Sequence, residues 1–184
     1  PAHVGHREIS LAALKLLRLD AVWWLVSPAN PLKESAGYDY APYEERMAVA
    51  RRIADHPRII VSNFEGRRGL QYTVDTLEAL FDLWPQIRFV WLMGADSLAG
   101  FHRWRNWRRI ASLVPFAAFN RPGSAEEALA SDTAKELALF RVPQGRAAEI
   151  VDMDPPAWTY IEETMNPTSS TEIRQRRSAA PRRR

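Results

Sequence analysis

The chain has 184 residues, 46% hydrophobic and 26% charged, enough for one compact domain with its own core and an ordinary composition for a globular protein. It has no cysteine, which excludes disulfides and thiolate metal sites, and no apolar run near the roughly 20 residues of a membrane helix. The net charge is +3, but residues 174–184 carry six arginines and no acid, which leaves −3 for residues 1–173 and argues against a nucleic-acid-binding body.

In chain order, Ile9, Ala13, Leu14, Leu16 and Leu17 fall on a helical period and predict a helix from about Gly5. Residues 21–27 form a continuous apolar run of strand length, the pattern of a strand buried on both faces. A loop rich in Pro, Gly, Asn and Ser covers Pro28 to Pro42. A helix follows over Tyr43–Ala54, then a strand over 58–63, a loop holding Gly66 and Gly69, and a helix over Thr73–Trp84 that Pro85 ends. Residues 88–94 read as a strand, Ser97 to Leu113 as short helices, and 115–120 as a strand. Ser124 to Leu139 reads as one helix, with Ser124 and Glu127 in capping-box spacing. Residues 147–153 read as a short strand, and a last helix begins near Ser170. Trp23, Trp24, Trp91 and Trp107 are expected in the core.

This alternation predicts an α/β, Rossmann-like domain over residues 1–177, with a mainly parallel sheet and helices on both faces. Residues 178–184 are expected to form a basic, flexible tail. The first strand would lie upstream of Pro1. In such sheets ligands bind at the carboxyl ends of strands, so function is expected at residues 1–6, 27–33, 94–107 and 121–123. No signal-peptide pattern opens the chain, and a cytoplasmic location is expected.

Two motifs carry chemistry. His3-Val4-Gly5-His6 precedes a helix, where free N–H groups and the positive dipole end favour an anion. Three-residue spacing puts both imidazoles on one side of the first turn, and Gly5 lets a phosphate come close. A capping pair of histidines or a metal pair fits the same residues. Thr168-Ser169-Ser170-Thr171-Glu172-Ile173-Arg174 places three hydroxyls before a helix and a guanidinium one turn in, suited to phosphate oxygens. An N-cap with an exposed arginine is the alternative. There is no Walker lysine motif and no G-x-G-x-x-G, which speaks against kinase and dehydrogenase readings.

Together the two motifs resemble the nucleotidyltransferase superfamily. The intervening segments narrow the likeness. Ser27-Pro28-Ala29-Asn30-Pro31-Leu32-Lys33, Gln71-Tyr72-Thr73-Val74-Asp75-Thr76-Leu77, Gly94-Ala95-Asp96-Ser97, Phe101-His102-Arg103-Trp104-Arg105-Asn106-Trp107 and Arg121-Pro122-Gly123, in that order, resemble the bacterial nicotinate mononucleotide adenylyltransferases. The likeness runs from Pro1 to about Arg177. It implies an enzyme that transfers AMP from ATP to nicotinate mononucleotide, with Mg²⁺ bound through the ATP phosphates and no protein metal site. It further implies that His3 and His6 contact the phosphates beside Gly5, and that Ser170, Thr171 and Arg174 hold the triphosphate. Gly94, Asp96, Arg121, Pro122 and Gly123 would hold the adenosine. Asn30, Lys33, Tyr72 and Thr73 would hold the mononucleotide, with Trp104 stacked on its ring. Thr73 opens a helix, so the N–H groups there favour the nicotinate carboxylate over a neutral amide. Phe101, Trp104 and Trp107 fit the pantetheine-phosphate adenylyltransferase alternative poorly. A non-catalytic nucleotide-binding protein of the same fold is the alternative of another class. Relative to the family pattern, Thr168 replaces an isoleucine, and only Pro1 remains of the Gly-Gly-Ser-Phe-Asn-Pro loop.

Overall fold

The computed structural model describes residues 2–28 and 41–163. Helix α1 (Val4–Leu16) buries Gly5, Ile9, Ser10, Ala13 and Leu14, a stripe one helical face wide, and ends where Arg18 turns left-handed at φ 54°. Strand β1 (Val22–Leu25) leads through helix α2 (Tyr43–Ala54) to β2 (Ile59–Ser62). In α2, Glu44 and Glu45 sit in the first turn and Arg51 and Arg52 in the last, a charge order that suits the helix dipole. A short helix α3 (Phe64–Arg68) and helix α4 (Thr73–Leu83) precede β3 (Trp91–Gly94). Then come α5 (Ala95–Ala99), a 3₁₀ turn at Phe101–Arg103, α6 (Trp107–Leu113) and β4 (Phe116–Phe119). Helices α7 (Ala125–Leu129) and α8 (Asp132–Glu136) lead to β5 (Arg141–Val142), a 3₁₀ segment over Gln144–Asp152, and β6 (Trp158–Ile161). No helix among the described residues is long and apolar enough to cross a membrane.

All strand pairs are parallel, as predicted. They form two sheets among the described residues, β1-β2 and β3-β4-β6-β5. The carboxyl ends are level: Leu25 pairs with Ser62, and Gly94 with Phe119, which pairs with Ile161. Between β1 and β3 lies a cavity of about 900 Å³, walled by both strands. A strand lying between them would join the two sheets into one.

Strands β4 and β6 are buried throughout. Side chains alternate across a sheet, so Phe116, Ala118, Trp158 and Tyr160 enter one apolar cluster, with Leu77, Leu98, Phe101 and Ile110. Ala117, Phe119 and Ile161 enter the other, with Ile9, Leu14, Leu17 and Ile150.

Four expectations need correction. Residues 147–152 are 3₁₀ helix, not strand, with Met153 as its cap; Glu149 and Asp152 break the run, and only Ala147 and Ile150 are buried. The strand is β6, whose Trp158, Thr159, Tyr160 and Ile161 all favour extended backbone. Thr159 satisfies its buried hydroxyl by donating to the Val142 carbonyl at 2.9 Å. The helix predicted over Ser124–Leu139 is two helices. Ser131 breaks it: its hydroxyl donates to the Ala128 carbonyl at 2.7 Å and accepts from the Ala134 amide at 3.2 Å, capping α8. The loop predicted around Gly66 contains α3, which Gly69 ends at φ 65°. Trp23, Trp24 and Trp91 are only half-buried and wall the cavity, whereas Trp107 is in the core, as predicted.

Candidate active site

The level strand ends bring distant segments to one edge of the molecule. Helix α1 starts there. The His3 amide donates to Nδ1 of His6 at 3.3 Å, and the His6 amide donates to the His3 carbonyl at 3.0 Å. Because Nδ1 of His6 accepts, the neutral ring carries its proton on Nε2. The two rings lie 3.9 Å apart at 52°. His3 is buried, 3% exposed, and His6 half-buried.

His6 is also held from β1. The Trp24 ring meets it edge-on at 6.0 Å, and Trp24 Nε1 donates to Ser10 Oγ at 2.8 Å. Ser10 Oγ in turn donates to the His6 carbonyl at 2.8 Å. Sequence reasoning missed Ser10 and Trp24 as supports for His6. The available signal was a serine on the buried stripe, four residues after the histidine.

Across the cavity, β3 ends at Gly94 and α5 begins. Asp96 Oδ2 lies 3.6 Å from Arg121 Nη1. The Arg121 side chain is 12% exposed, and its Nε has no hydrogen-bond partner among the described residues. A guanidinium so buried and so lightly paired suits an incoming acceptor atom. A Cβ on Gly94 would fall 2.5 Å from Asp96 Oδ1 and 3.3 Å from Arg121 Nε, so the missing side chain keeps this corner open. Gly123, two residues on, turns at φ 77°, a conformation that favours glycine; Pro122 and Gly123 are exposed.

Trp104 is half-buried beside the same space. Phe101 and Trp91 meet it at 5.2 and 6.5 Å, both at 83°, so neither neighbouring ring stacks parallel on it. Tyr72 and Thr73 open α4, whose N-cap, Tyr72, makes no side-chain cap bond. The Arg105 guanidinium sits 4.4 Å from the Tyr72 ring centre. Of the residues singled out from the sequence, the cavity wall gathers His6, Gly94, Asp96, Trp104 and Arg121. His3, Gly5, Tyr72, Thr73, Pro122 and Gly123 are not on that wall. Asn30, Lys33, Ser170, Thr171 and Arg174 lie outside the described residues.

No three His, Cys, Asp or Glu side chains among the described residues gather closely enough to hold a metal ion. The donor set at the cavity, an imidazole, amides and a guanidinium with one carboxylate, fits phosphate oxygens better than a bare cation.

Residues 1–176 match the family described as cytidylyltransferase-like. Among curated relatives, a protein of Ruegeria sp. named "Probable nicotinate-nucleotide adenylyltransferase" is 47% identical over 96% of this chain and 92% of the relative. A protein of the same name from Cereibacter sphaeroides is 48% identical over 95% of this chain and 91% of its own length. Among solved structures, the nicotinic acid mononucleotide adenylyltransferase of Plasmodium falciparum, complexed with APC, matches with a TM-score of 0.61. That match has 13% identity and covers 93% of this chain and 72% of the other, and it supports the fold.

Proposed function

The chain belongs to the cytidylyltransferase-like family, and from that premise we propose that it is a nicotinate-nucleotide adenylyltransferase, which joins the AMP part of ATP to nicotinate mononucleotide and releases pyrophosphate. The observation that carries this reading is convergence. His6, Gly94, Asp96, Trp104 and Arg121 come from separate segments and line one cavity, which runs along β1 and β3 and reaches the carboxyl end of β3 at Gly94. The names of relatives nearly half identical over almost the whole chain support the choice of acceptor.

A phosphate oxygen of the mononucleotide attacks the α-phosphorus of ATP in line. The bond from that phosphorus to the bridging oxygen of the β-phosphate breaks, and pyrophosphate leaves with the electron pair. No covalent enzyme intermediate is needed, so the protein's contribution is orientation and charge stabilisation. His6 donates from Nε2 to a phosphate oxygen at the start of α1, where free amides add to the positive field. Ser170, Thr171 and Arg174 clasp the triphosphate, and His3 contacts the phosphates together with His6, beside Gly5. Mg²⁺, carried in on the ATP phosphates, supplies charge neutralisation when bound. Asp96 takes the ribose, and Arg121, Pro122 and Gly123 form the turn against the adenine. Tyr72 and Thr73 receive the nicotinate carboxylate at the start of α4, Trp104 stacks on the pyridine ring, and Asn30 and Lys33 complete the mononucleotide side.

Pyrophosphate release with ATP and each acceptor tests the reading. Nicotinate mononucleotide should be turned over fastest. Faster turnover of phosphopantetheine would assign the chain to the pantetheine enzyme, and ATP binding without turnover of any acceptor would make it a non-catalytic nucleotide binder.

Two smaller effects are expected. Trp104→Ala should weaken binding of the mononucleotide by about 1–3 kcal/mol, the scale of aromatic stacking on bases. An unchanged KM for that substrate would refute the stacking role. Gly94→Ala should push the Asp96 carboxylate aside while sparing the core, since the atom met first is the end of a side chain. Its KM for ATP should rise about tenfold, roughly the 1.4 kcal/mol of one lost hydrogen bond, with little change in the midpoint of thermal unfolding. A large fall in that midpoint would show that Gly94 serves packing instead.

A further inference from the structure

Outside the cavity the molecule holds a buried polar knot that the reaction scheme does not use. Glu65, on α3, is 7% exposed. Its Oε1 accepts the hydroxyl proton of Thr76 at 2.9 Å. Thr76 is fully buried in α4, and its amide donates to the Tyr72 carbonyl at 3.1 Å. On its other side the Glu65 carboxyl is hydrogen-bonded to the Ser27 side chain, just past the end of β1.

The end of β1 is itself held tightly. Arg46 Nη1 and Nη2 donate to the carbonyls of Ser27 and Pro28, both at 2.6 Å, and Tyr43 donates to the Val26 carbonyl at 3.1 Å. The Tyr43 ring lies against Gly66, where a Cβ would come within 2.5 Å of its hydroxyl oxygen. Two separate pieces of chain are therefore fastened to each other through one side chain: the exit of β1, which leads toward Asn30 and Lys33, and the opening of α4, which carries Tyr72 and Thr73.

A carboxyl is a costly way to join two elements in a core. No cation among the described residues lies within ion-pair distance of Glu65. Two hydroxyls satisfy it instead. A methyl or isobutyl group would pack the same space without that cost but could not fix the helix start relative to the strand end in direction.

We propose that Glu65 is a positioning residue for the acceptor nucleotide, holding the α4 start and the β1 exit at the spacing that nicotinate mononucleotide requires. The proposal rests on the reading of Tyr72 and Thr73 given above. Burial pushes the Glu65 carboxyl pKa up, with the Thr76 and Ser27 hydrogen bonds opposing it.

The test compares KM values for the two substrates in the wild-type protein and four variants. Wild-type protein is assayed first with ATP and each acceptor; if phosphopantetheine is preferred, the acceptor reading fails and the proposal falls with it before any variant is made. With the acceptor established, Glu65→Ala should raise the KM for nicotinate mononucleotide at least tenfold, with the KM for ATP held within about twofold. Glu65→Gln keeps an oxygen for Thr76 and an amide for Ser27, and should restore the KM to within about twofold of wild type. Thr76→Val keeps the shape, removes the donor and should raise the same KM. The double variant Glu65→Ala/Thr76→Val should be no worse than Glu65→Ala alone, because both changes cut one link. A rise in both substrates' KM together would overturn the positioning role, as would a Gln variant no better than Ala or effects that add in the double variant. Should Glu65→Ala fail to fold, Glu65→Gln and Thr76→Val decide the matter by the same readings.

Discussion

His6→Ala lowers kcat by about 10²-fold or more, the usual scale for removing one preorganised donor from a developing negative charge. The geometry is specific about why. The His3 amide occupies Nδ1 of the imidazole, the Trp24 edge lies beside the ring, and Ser10 ties the His6 carbonyl to Trp24. The ring is thus set before substrate arrives. Alanine leaves the α1 backbone bonds and the Ser10 link in place, so the loss should fall on turnover. The thermal midpoint and the KM for ATP should move little by comparison. Steady-state pyrophosphate release checks the prediction, and a variant with near-normal turnover would remove His6 from the mechanism.

Phe116→Ala should cost about 3–5 kcal/mol of stability, the range for deleting a buried aromatic ring. Phe116 is fully buried, stacks on Trp158 with centroids 5.7 Å apart at 14°, and meets Phe101 at 5.5 Å. The neighbours belong to β6 and to the 3₁₀ turn before α6, so no single element can collapse into the space left behind. Against a typical domain stability of about 5–15 kcal/mol, that loss is a large share. Phe116→Leu keeps most of the apolar volume and should cost markedly less. Urea unfolding followed by tryptophan fluorescence measures both, and an alanine variant as stable as wild type would show that this cluster is not the core of the domain. The effect should also reach the site, because Phe101 lies between Phe116 and Trp104.

Much of the fold is legible in the residues themselves. Helix α1 follows from Ile9, Ala13 and Leu14 on one stripe, and β1 to β4 from apolar runs set between Pro, Gly and Asn. What is not legible depends on partners far away in the chain. Ile150 and Val151 invite a strand, yet the third strand in the sheet is the four-residue run from Trp158, which pairs between β4 and β5. Ser131 breaks a helix whose periodicity continues through it, since its hydroxyl competes for the backbone. Trp23, Trp24 and Trp91 look like core because their runs are apolar, but their strands face each other across a cavity. At the site the same division holds. His6, Gly94, Asp96, Trp104 and Arg121 sit in short motifs with a chemical logic and are brought together. Ser10 offers only a weak signal, a serine on a buried stripe, and Glu65 offers none, because its partners Ser27 and Thr76 lie on other elements.

The two inner strands β4 and β6 have no idle side. Phe116 and Ala118 look into one cluster, Ala117 and Phe119 into the other, and Trp158, Tyr160 and Ile161 divide likewise. The pair behaves as a shared wall, stiffened from left and right at once, and loosening either room slackens the partition. Arg121 is mounted two residues past the end of that wall, so the firmness of the corner it shares with Asp96 is borrowed from both halves of the interior.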